Sequence, residues 1–198
     1  ARRPRLGFRS GFTRTRSPAI LSLPTSPAVD HLRISIADQT LLVMADGERV
    51  LARYPVSTAR NGVGERDGSG CTPRGRHYIR AMIGAGMPEG AVFRARRPTG
   101  EVFSSVLARQ YPERDWILSR ILWLCGLESG KNRGRGVDTF RRFIYIHGTP
   151  ESEPMGVPKS HGCIRMRNRD VIELFERVRP GLPVMISESS ITVGKVDD

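Results

Sequence analysis

Two histidines and a cysteine flank one loop in the C-terminal third of the chain. His147 follows the apolar run 143–146, and the loop after it ends in the tetrapeptide Ser160–Cys163. A cysteine thiolate is a strong nucleophile, and a histidine within hydrogen-bond reach can take its proton and return it later. These residue types therefore predict acyl transfer by Cys163, with His147 held at the end of a buried strand as the base.

The surroundings of Cys163 predict a thiol with a lowered pKa. A helix is expected to start near Asn168, Arg165 lies two residues away, and an imidazolium is close, and each of these favours the thiolate. A free cysteine has a pKa of about 8.5, so a decrease of about 2 units would make the thiolate dominant at neutral pH. We therefore expect a thiolate in the resting site.

Gly162 precedes the nucleophile and lets the backbone approach an acyl group closely. We expect the N–H groups of Gly162 and Cys163 to form an oxyanion hole. A zinc site built from His147, His161 and Cys163 is the alternative, but the paired CxxC or HExxH spacing is absent. We expect neither a metal nor another cofactor.

Length and charge limit the remaining function classes. The chain has 198 residues and a formal net charge of +12, with six arginines and no acidic residue among the first 16 residues. This length suggests one domain, and no apolar run is long enough to span a membrane. We find no nucleic-acid recognition element or interleaved aromatic residues, so an anionic polymer or no specific partner explains the charge better than nucleic acid does.

The hydrophobic pattern predicts a single mostly-β domain with one clear α-helix. Residues 1–29 read as a flexible basic leader, and residues 188–198 as a polar tail. Alternating apolar residues predict strands near 32–36, 40–44, 50–56, 77–83, 120–124, 143–146 and 183–187. Helical spacing predicts a helix over 168–178, with Asn168 as a candidate cap and Pro180-Gly181 as its stop.

Two motifs resemble one enzyme family. Ile144–Thr149 reads IYIHGT and Ser160–Asn168 reads SHGCIRMRN, and together they resemble the signature of the L,D-transpeptidase catalytic domain, also called the YkuD or ErfK family. Thr72–Gly75 resembles an upstream Thr-Pro-x-Gly element of that family. The resemblance runs from about residue 31 to 187, implies a mixed β-sandwich, and places the catalytic domain at 30–187.

The resemblance also implies a reaction. Cys163 would attack the peptidoglycan stem tetrapeptide at the diaminopimelate–D-Ala bond, with His147 accepting and donating the proton and His161 as a further catalytic residue. The thioester would pass to an amine, which is a second stem peptide, a D-amino acid or a lysine of an envelope protein. Carbapenems would form covalent adducts, and the compartment would be the bacterial cell envelope or periplasm, although no signal peptide is visible.

Four further motif residues receive less specific roles from the resemblance. Ser160 and Gly162 would shape the pocket and the oxyanion region, while Arg165 and Asn168 would bind substrate carboxylates or order the loop. Asn168 could instead simply cap the helix, and His161 could bond a loop carbonyl. Hydrolysis of the same bond by an L,D-carboxypeptidase or amidase, and a non-catalytic wall-binding module, remain alternatives. Cys71 and Cys125 are expected to be separate thiols, with a disulfide as the other choice.

Overall fold

The computed structural model describes residues 27–191, so most of the expected leader and tail lies outside the described residues. The domain starts with an antiparallel meander of β1 (His31–Ser35), β2 (Thr40–Ala45) and β3 (Arg49–Pro55). Alternating apolar residues of β1 and β2 point into the core, which is why their pattern predicted strands. The predicted meander is confirmed.

The meander continues into a longer sheet through the last strand of the domain. β10 (Pro183–Ser187) pairs parallel with β1 and antiparallel with β4 (Gly75–Ile83). Next to β4 lies β7 (Ile117–Gly126), which extends beyond the strand predicted over 120–124 at both ends. The hydrogen-bonded order is therefore β3-β2-β1-β10-β4-β7, followed by two strands that the sequence pattern did not predict.

Those two strands form a hairpin, which is followed by a short helix. β5 (Ala91–Arg94) pairs with β7, β6 (Arg97–Val102) pairs with β5, and α1 (Ser105–Gln110) begins after Ser104, whose side chain caps it. The sequence predicted one clear helix, and the structure adds a second one, the six-residue α1. None of the residues of α1 is buried, so it has no apolar face to reveal it in the sequence.

β7 also begins a second branch, which carries the candidate chemistry. β8 (Tyr145–Thr149) pairs antiparallel with β7, and β9 (Ile164–Arg167) pairs parallel with β8. α2 (Asn168–Arg177) follows β9 directly and packs on β7, β8 and β9. His147 therefore lies in the middle of a strand and not at its end, as the apolar run had suggested, because β8 continues through Gly148 and Thr149.

One main hydrophobic cluster lies between α2 and the curled sheet. It combines fully buried side chains from the meander, the central strands and the second branch, among them Leu32, Ile34, Leu41, Ile79, Leu122, Leu124, Ile146, Ile164, Val171 and Leu174. No helix in the described part of the chain is long and apolar enough to cross a membrane. The architecture is a single, mostly-β domain, as expected, and its core fixes β8 and β9 side by side.

Candidate active site

Five of the seven predicted site residues line one cavity of about 270 Å³. His147 from β8 lines it, together with Cys163 immediately before β9 and Arg165 on β9. Ser160 and His161 complete the wall on the loop that leads to Cys163. The parallel pairing of β8 and β9 brings these residues together although 12 residues separate His147 from Ser160 in the sequence.

Cys163 is held by the backbone of the segment that enters β8. Its Sγ accepts a hydrogen bond from the Tyr145 N–H at 3.4 Å, and its S–H donates to the Phe143 carbonyl at 3.4 Å. Phe143 has a φ of +57°, a left-handed conformation that a bulky residue rarely adopts. The turn before β8 therefore places the Phe143 carbonyl and the Tyr145 N–H at the Cys163 thiol.

Burial raises the pKa of the Cys163 thiol to about 12, although the Tyr145 N–H and nearby arginines oppose the shift. The expected thiolate is therefore not the resting form. One of its expected supports, Arg165, is weaker than the sequence suggested. Arg165 is neutralised by ion pairs to Asp115 at 2.8 Å and Glu153 at 3.2 Å, and the negative charge of Asp115 itself disfavours a thiolate. The raised pKa therefore favours the neutral thiol form of Cys163 at pH 7.

His147 is buried and its tautomer is fixed by a main-chain bond. Its Nδ1 lies 2.7 Å from the Gly148 carbonyl oxygen, and because a carbonyl only accepts, Nδ1 carries the proton. Burial lowers the pKa of His147 below its usual value, so the ring is neutral at pH 7. Its Nε2 is consequently free of a proton and able to accept one.

The tetrapeptide before β9 is a tight turn organised by Ser160. The Ser160 hydroxyl donates to the Cys163 carbonyl at 2.6 Å and accepts the Gly162 N–H at 3.2 Å. Gly162 has a φ of +132°, which favours glycine, and its carbonyl accepts a bond from Thr72 at 3.0 Å. The Gly162 N–H expected in an oxyanion hole thus has another acceptor, which leaves the Cys163 N–H as the donor of that pair.

Thr72 ties the Thr-Pro-x-Gly element to this turn. It is fully buried, donates to the Gly162 carbonyl and accepts the Ala59 N–H at 3.0 Å. Its contact with the turn 160–163 makes it a positioning residue for Cys163.

Asn168 has the contacts of a residue that orders the site, one of the alternatives that its motif left open. It is the first residue of α2 rather than its cap, and it is buried away from the cavity. Its Oδ1 accepts from Ser119 at 2.7 Å, and its Nδ2 donates to the Thr149 carbonyl at 3.0 Å. Asn168 therefore links the bulge of β7 to the end of β8, and it orders the site rather than binding substrate.

Asp115 is the site residue that sequence reasoning missed. It pairs with Arg165, lies 3.4 Å from His161 Nδ1, and lines the cavity from the segment before β7. Burial raises the pKa of Asp115, but His147, Arg165 and His161 together outweigh this and keep it below its usual value. A single acid in an irregular segment carries no motif, so no signal in the sequence could have found it.

Asp115 also joins the cavity to two neighbouring grooves. One, of about 700 Å³, runs between the β5–β6 hairpin and Tyr111, and the other, of about 270 Å³, runs between Trp116 and Lys159. Asp115 lines all three spaces, so the two grooves lie on either side of this residue, adjacent to the cavity.

Residues 30–186 match the family described as the L,D-transpeptidase catalytic domain, YkuD. The chain belongs to this family. Among its relatives, YkuD of Bacillus subtilis, a putative L,D-transpeptidase, is 26% identical over 91% of this chain and 80% of its own length. YcfS of Escherichia coli, a probable L,D-transpeptidase, is 27% identical over 86% of this chain and 48% of its own length.

Other comparisons cover smaller parts of the relatives. The putative L,D-transpeptidase YqjB of Bacillus subtilis is 41% identical over 49 residues, and the match spans only 28% of its length. An L,D-transpeptidase structure from Mycobacterium smegmatis is 21% identical with a TM-score of 0.49, covering 79% of this chain and 57% of that one. A Mycobacterium tuberculosis L,D-transpeptidase 3 with a faropenem-derived adduct is also 21% identical, with a TM-score of 0.49 over 82% and 61% of the chains.

The other two cysteines of this L,D-transpeptidase domain do not enter its cavity. Cys71 and Cys125 are separate free thiols, and Cys71 donates to the Asn61 carbonyl at 3.3 Å. No group of three or more His, Cys, Asp or Glu side chains suited to a metal occurs within residues 27–191. The side chains at the cavity are those of a thiol–imidazole site.

Proposed function

We propose that this domain is a peptidoglycan L,D-transpeptidase that acts in the bacterial cell envelope by a thioester mechanism. The observation that carries the proposal is that Cys163 and a neutral His147 line one cavity, with the His147 Nδ1–H committed to the Gly148 carbonyl. This leaves Nε2 as the proton acceptor. Membership of the family supplies the substrate class, a stem tetrapeptide ending in diaminopimelate–D-Ala.

In the first half-reaction His147 acts as a general base. Nε2 takes the Cys163 proton as Sγ attacks the diaminopimelate carbonyl carbon, and a C–S bond forms while the carbonyl oxygen becomes an oxyanion. The Cys163 N–H is the donor we assign to that oxyanion. The C–N bond then breaks, the leaving D-Ala amine takes the proton from His147, and a thioester remains.

The second half-reaction reverses these roles. An incoming amine attacks the thioester carbon and gives a proton to Nε2 of His147. The C–S bond then breaks, and the sulfur recovers the proton from His147. The products are an amide bond to the acceptor and the original neutral pair, so atoms and charge balance over the cycle.

The two grooves that meet at Asp115 support transfer to a second substrate rather than to water. One groove can hold the donor peptide while the other holds the acceptor amine near the same thioester. The larger groove is lined by both charge signs, with Glu101 paired to Arg114 at 2.9 Å within it. Hydrolysis by a carboxypeptidase would not need a second groove.

Product analysis tests the proposal. The purified chain and its Cys163→Ala variant are incubated with disaccharide tetrapeptide, with and without an added D-amino acid, and the products are separated and weighed. We expect cross-linked dimer or exchanged tetrapeptide with the wild-type chain only. Tripeptide alone would identify a carboxypeptidase, and no product together with retention on peptidoglycan sacculi would identify a wall-binding module.

A further inference from the structure

Three arginines line the Cys163 cavity, but they differ in what neutralises them. Arg165 is buried and pairs with two carboxylates, Asp115 and Glu153. Arg96 and Arg142 have no carboxylate partner within residues 27–191. The residue expected from its motif to bind a substrate carboxylate is thus already satisfied, while two other cations at the cavity are not.

Arg142 donates hydrogen bonds to several groups of the chain itself. Its guanidinium donates to the carbonyls of Gly64 and Cys71, at 3.1 and 2.7 Å, and to the Ser69 hydroxyl at 3.3 Å. It therefore fastens the segment 64–71 beside the cavity and adds positive charge there. A guanidinium with this many internal partners has few N–H groups left for a ligand.

Arg96 is in the opposite situation. Its only side-chain hydrogen bond in the described part of the chain is to the Tyr145 hydroxyl at 3.3 Å, so most of its five N–H groups are free. The guanidinium carbon lies 4.6 Å from the Phe143 ring centre and 4.8 Å from that of Trp123. Stacking on these rings holds the planar fork in place without consuming its donors.

The backbone of Arg96 is held in a conformation that arginine rarely adopts. Arg94 and Arg97 face each other across β5 and β6, so Ala95 and Arg96 form a two-residue turn with φ values of +48° and +67°. Such turns favour Asn-Gly, because both residues need a positive φ. Strain of this kind is frequently found at functional sites, where the surrounding structure maintains it.

Tyr145 connects this fork to Cys163, and all three residues line the same cavity. The Tyr145 hydroxyl accepts from Arg96, and its main-chain N–H donates to Cys163 Sγ. A carboxylate bound by Arg96 would therefore belong to the same donor peptide whose acyl group Cys163 attacks. Arg is suited to this task because its fork matches a carboxylate with two parallel hydrogen bonds.

We infer that Arg96 is a specificity-determining residue that binds a free carboxylate of the acyl-donor peptide. The inference rests on the proposed function, to which it adds a residue that recognises the donor peptide. We consider the carboxylates of the two residues that the attacked bond joins, namely the C-terminal carboxylate of D-Ala and the side-chain carboxylate of diaminopimelate. The first lies one residue beyond the carbonyl that Cys163 attacks, and the second lies at the far end of the diaminopimelate side chain.

Steady-state kinetics with three donor peptides tests the inference. One donor carries both carboxylates, one is amidated at its C-terminus, and one is amidated at the diaminopimelate side chain. Each is used with the wild-type chain, Arg96→Gln and Arg96→Lys. Arg97→Gln is the matched control, because it removes the same charge from the same hairpin but does not line the cavity.

With the fully charged donor we expect Arg96→Gln to raise KM about tenfold and to leave kcat within about twofold, the loss expected for a charge-assisted hydrogen bond. Arg96→Lys should recover part of the loss, and Arg97→Gln should match wild type. When the carboxylate that Arg96 binds is amidated, KM of the wild-type chain should rise by the same factor. With that donor Arg96→Gln should have the same KM as wild type, and this identifies which carboxylate is bound.

An equal effect of Arg96→Gln on all three donors, or no effect on any, would overturn the inference. Melting temperatures of Arg96→Gln and Arg97→Gln check that neither variant disturbs the fold. Failure of the proposed function looks different, because the wild-type chain would then convert none of the three donors.

Discussion

The β8–β9 pair and the β5–β6 hairpin meet at one cavity but are built in opposite ways. Around β8 and β9 the polar groups are buried and bonded to the chain itself, as His147 is to the Gly148 carbonyl and Arg165 to two carboxylates. The hairpin tip is strained, and its Arg96 keeps unused donors. We therefore expect the first region to position the reacting groups and the second to recognise a ligand.

Loss of the proposed nucleophile should have the largest effect of any change at the cavity. We expect Cys163→Ala to lower kcat by at least about 10⁴-fold while the chain still folds, because alanine fits a half-buried position and no other thiol lines the cavity. Product formation and the melting temperature measure the two effects. Cys125→Ala is the control, and activity retained in Cys163→Ala would assign the chemistry elsewhere.

Loss of the base should have the second-largest effect. We expect His147→Gln to lower kcat by about 10²–10⁴-fold, because glutamine can keep a bond to the Gly148 carbonyl but cannot accept a proton. His77 offers a matched control, since it is a buried histidine bonded to Gly75 and Thr139 far from the cavity. Its variant His77→Gln should keep the rate per folded molecule, and an equal loss in both would point to stability instead.

The protonation state of the resting thiol is a third point to test. Because burial raises the pKa of Cys163 to about 12, its thiolate fraction should rise about tenfold per pH unit. Alkylation by iodoacetamide should therefore accelerate about 100-fold between pH 7 and pH 9 without a plateau. Quantifying the peptides of Cys71 and Cys125 gives internal references. A plateau below pH 8 would restore the resting thiolate that the sequence suggested.

Asp115 connects the two regions, and its removal should have a moderate effect. We expect Asp115→Asn to lower kcat about tenfold, because Arg165 and His161 each lose a charged partner that positions them at the cavity, a loss that outweighs the gain in Cys163 thiolate. Glu153→Gln removes the other partner of Arg165 outside the cavity and serves as the control. A larger loss in the control than in Asp115→Asn would show that the ion pair only stabilises the loop.

The strained turn should give the smallest effect. Glycine adopts a positive φ at little cost, so Ala95→Gly should raise the melting temperature by about 2–4 °C through relief of strain. Ala85→Gly, in an exposed loop where φ is not positive, is the matched control and should not raise it. A lower melting temperature in Ala95→Gly than in Ala85→Gly would mean that the turn is not strained.

The sequence predicts the elements that have a clear hydrophobic period. β1, β2, β4, β10 and α2 each alternate or repeat apolar residues toward the main core, and all were predicted close to their observed ends. β5 and β6 were missed because their turn, Ala95-Arg96, contains neither Gly nor Asn and gives no turn signal. β9 was also not predicted, because it is only four residues long and two of them are arginines.

The site residues also divide into those that local motifs predict and those that only the fold brings to the cavity. Cys163, His147, Ser160 and His161 lie in local motifs, and the structure brings all four to one cavity. Asp115 and Arg96 lie far from these motifs in the sequence, and only the pairing of β5 and β8 with β7 brings them close. Burial, which raises the pKa of Cys163, is likewise a property of the packed domain. Reasoning from neighbouring residues therefore predicted a lowered pKa.

Mapping the acyl-enzyme tests the central claim most directly. The wild-type chain is mixed briefly with disaccharide tetrapeptide, quenched in acid and weighed intact, then cut with trypsin after Lys159 and Arg165. We predict a mass increase equal to the tetrapeptide donor minus D-Ala, carried by the peptide Ser160–Arg165 and absent from Cys163→Ala. Turnover without any adduct on that peptide, or an adduct on Cys71 or Cys125, would contradict the account.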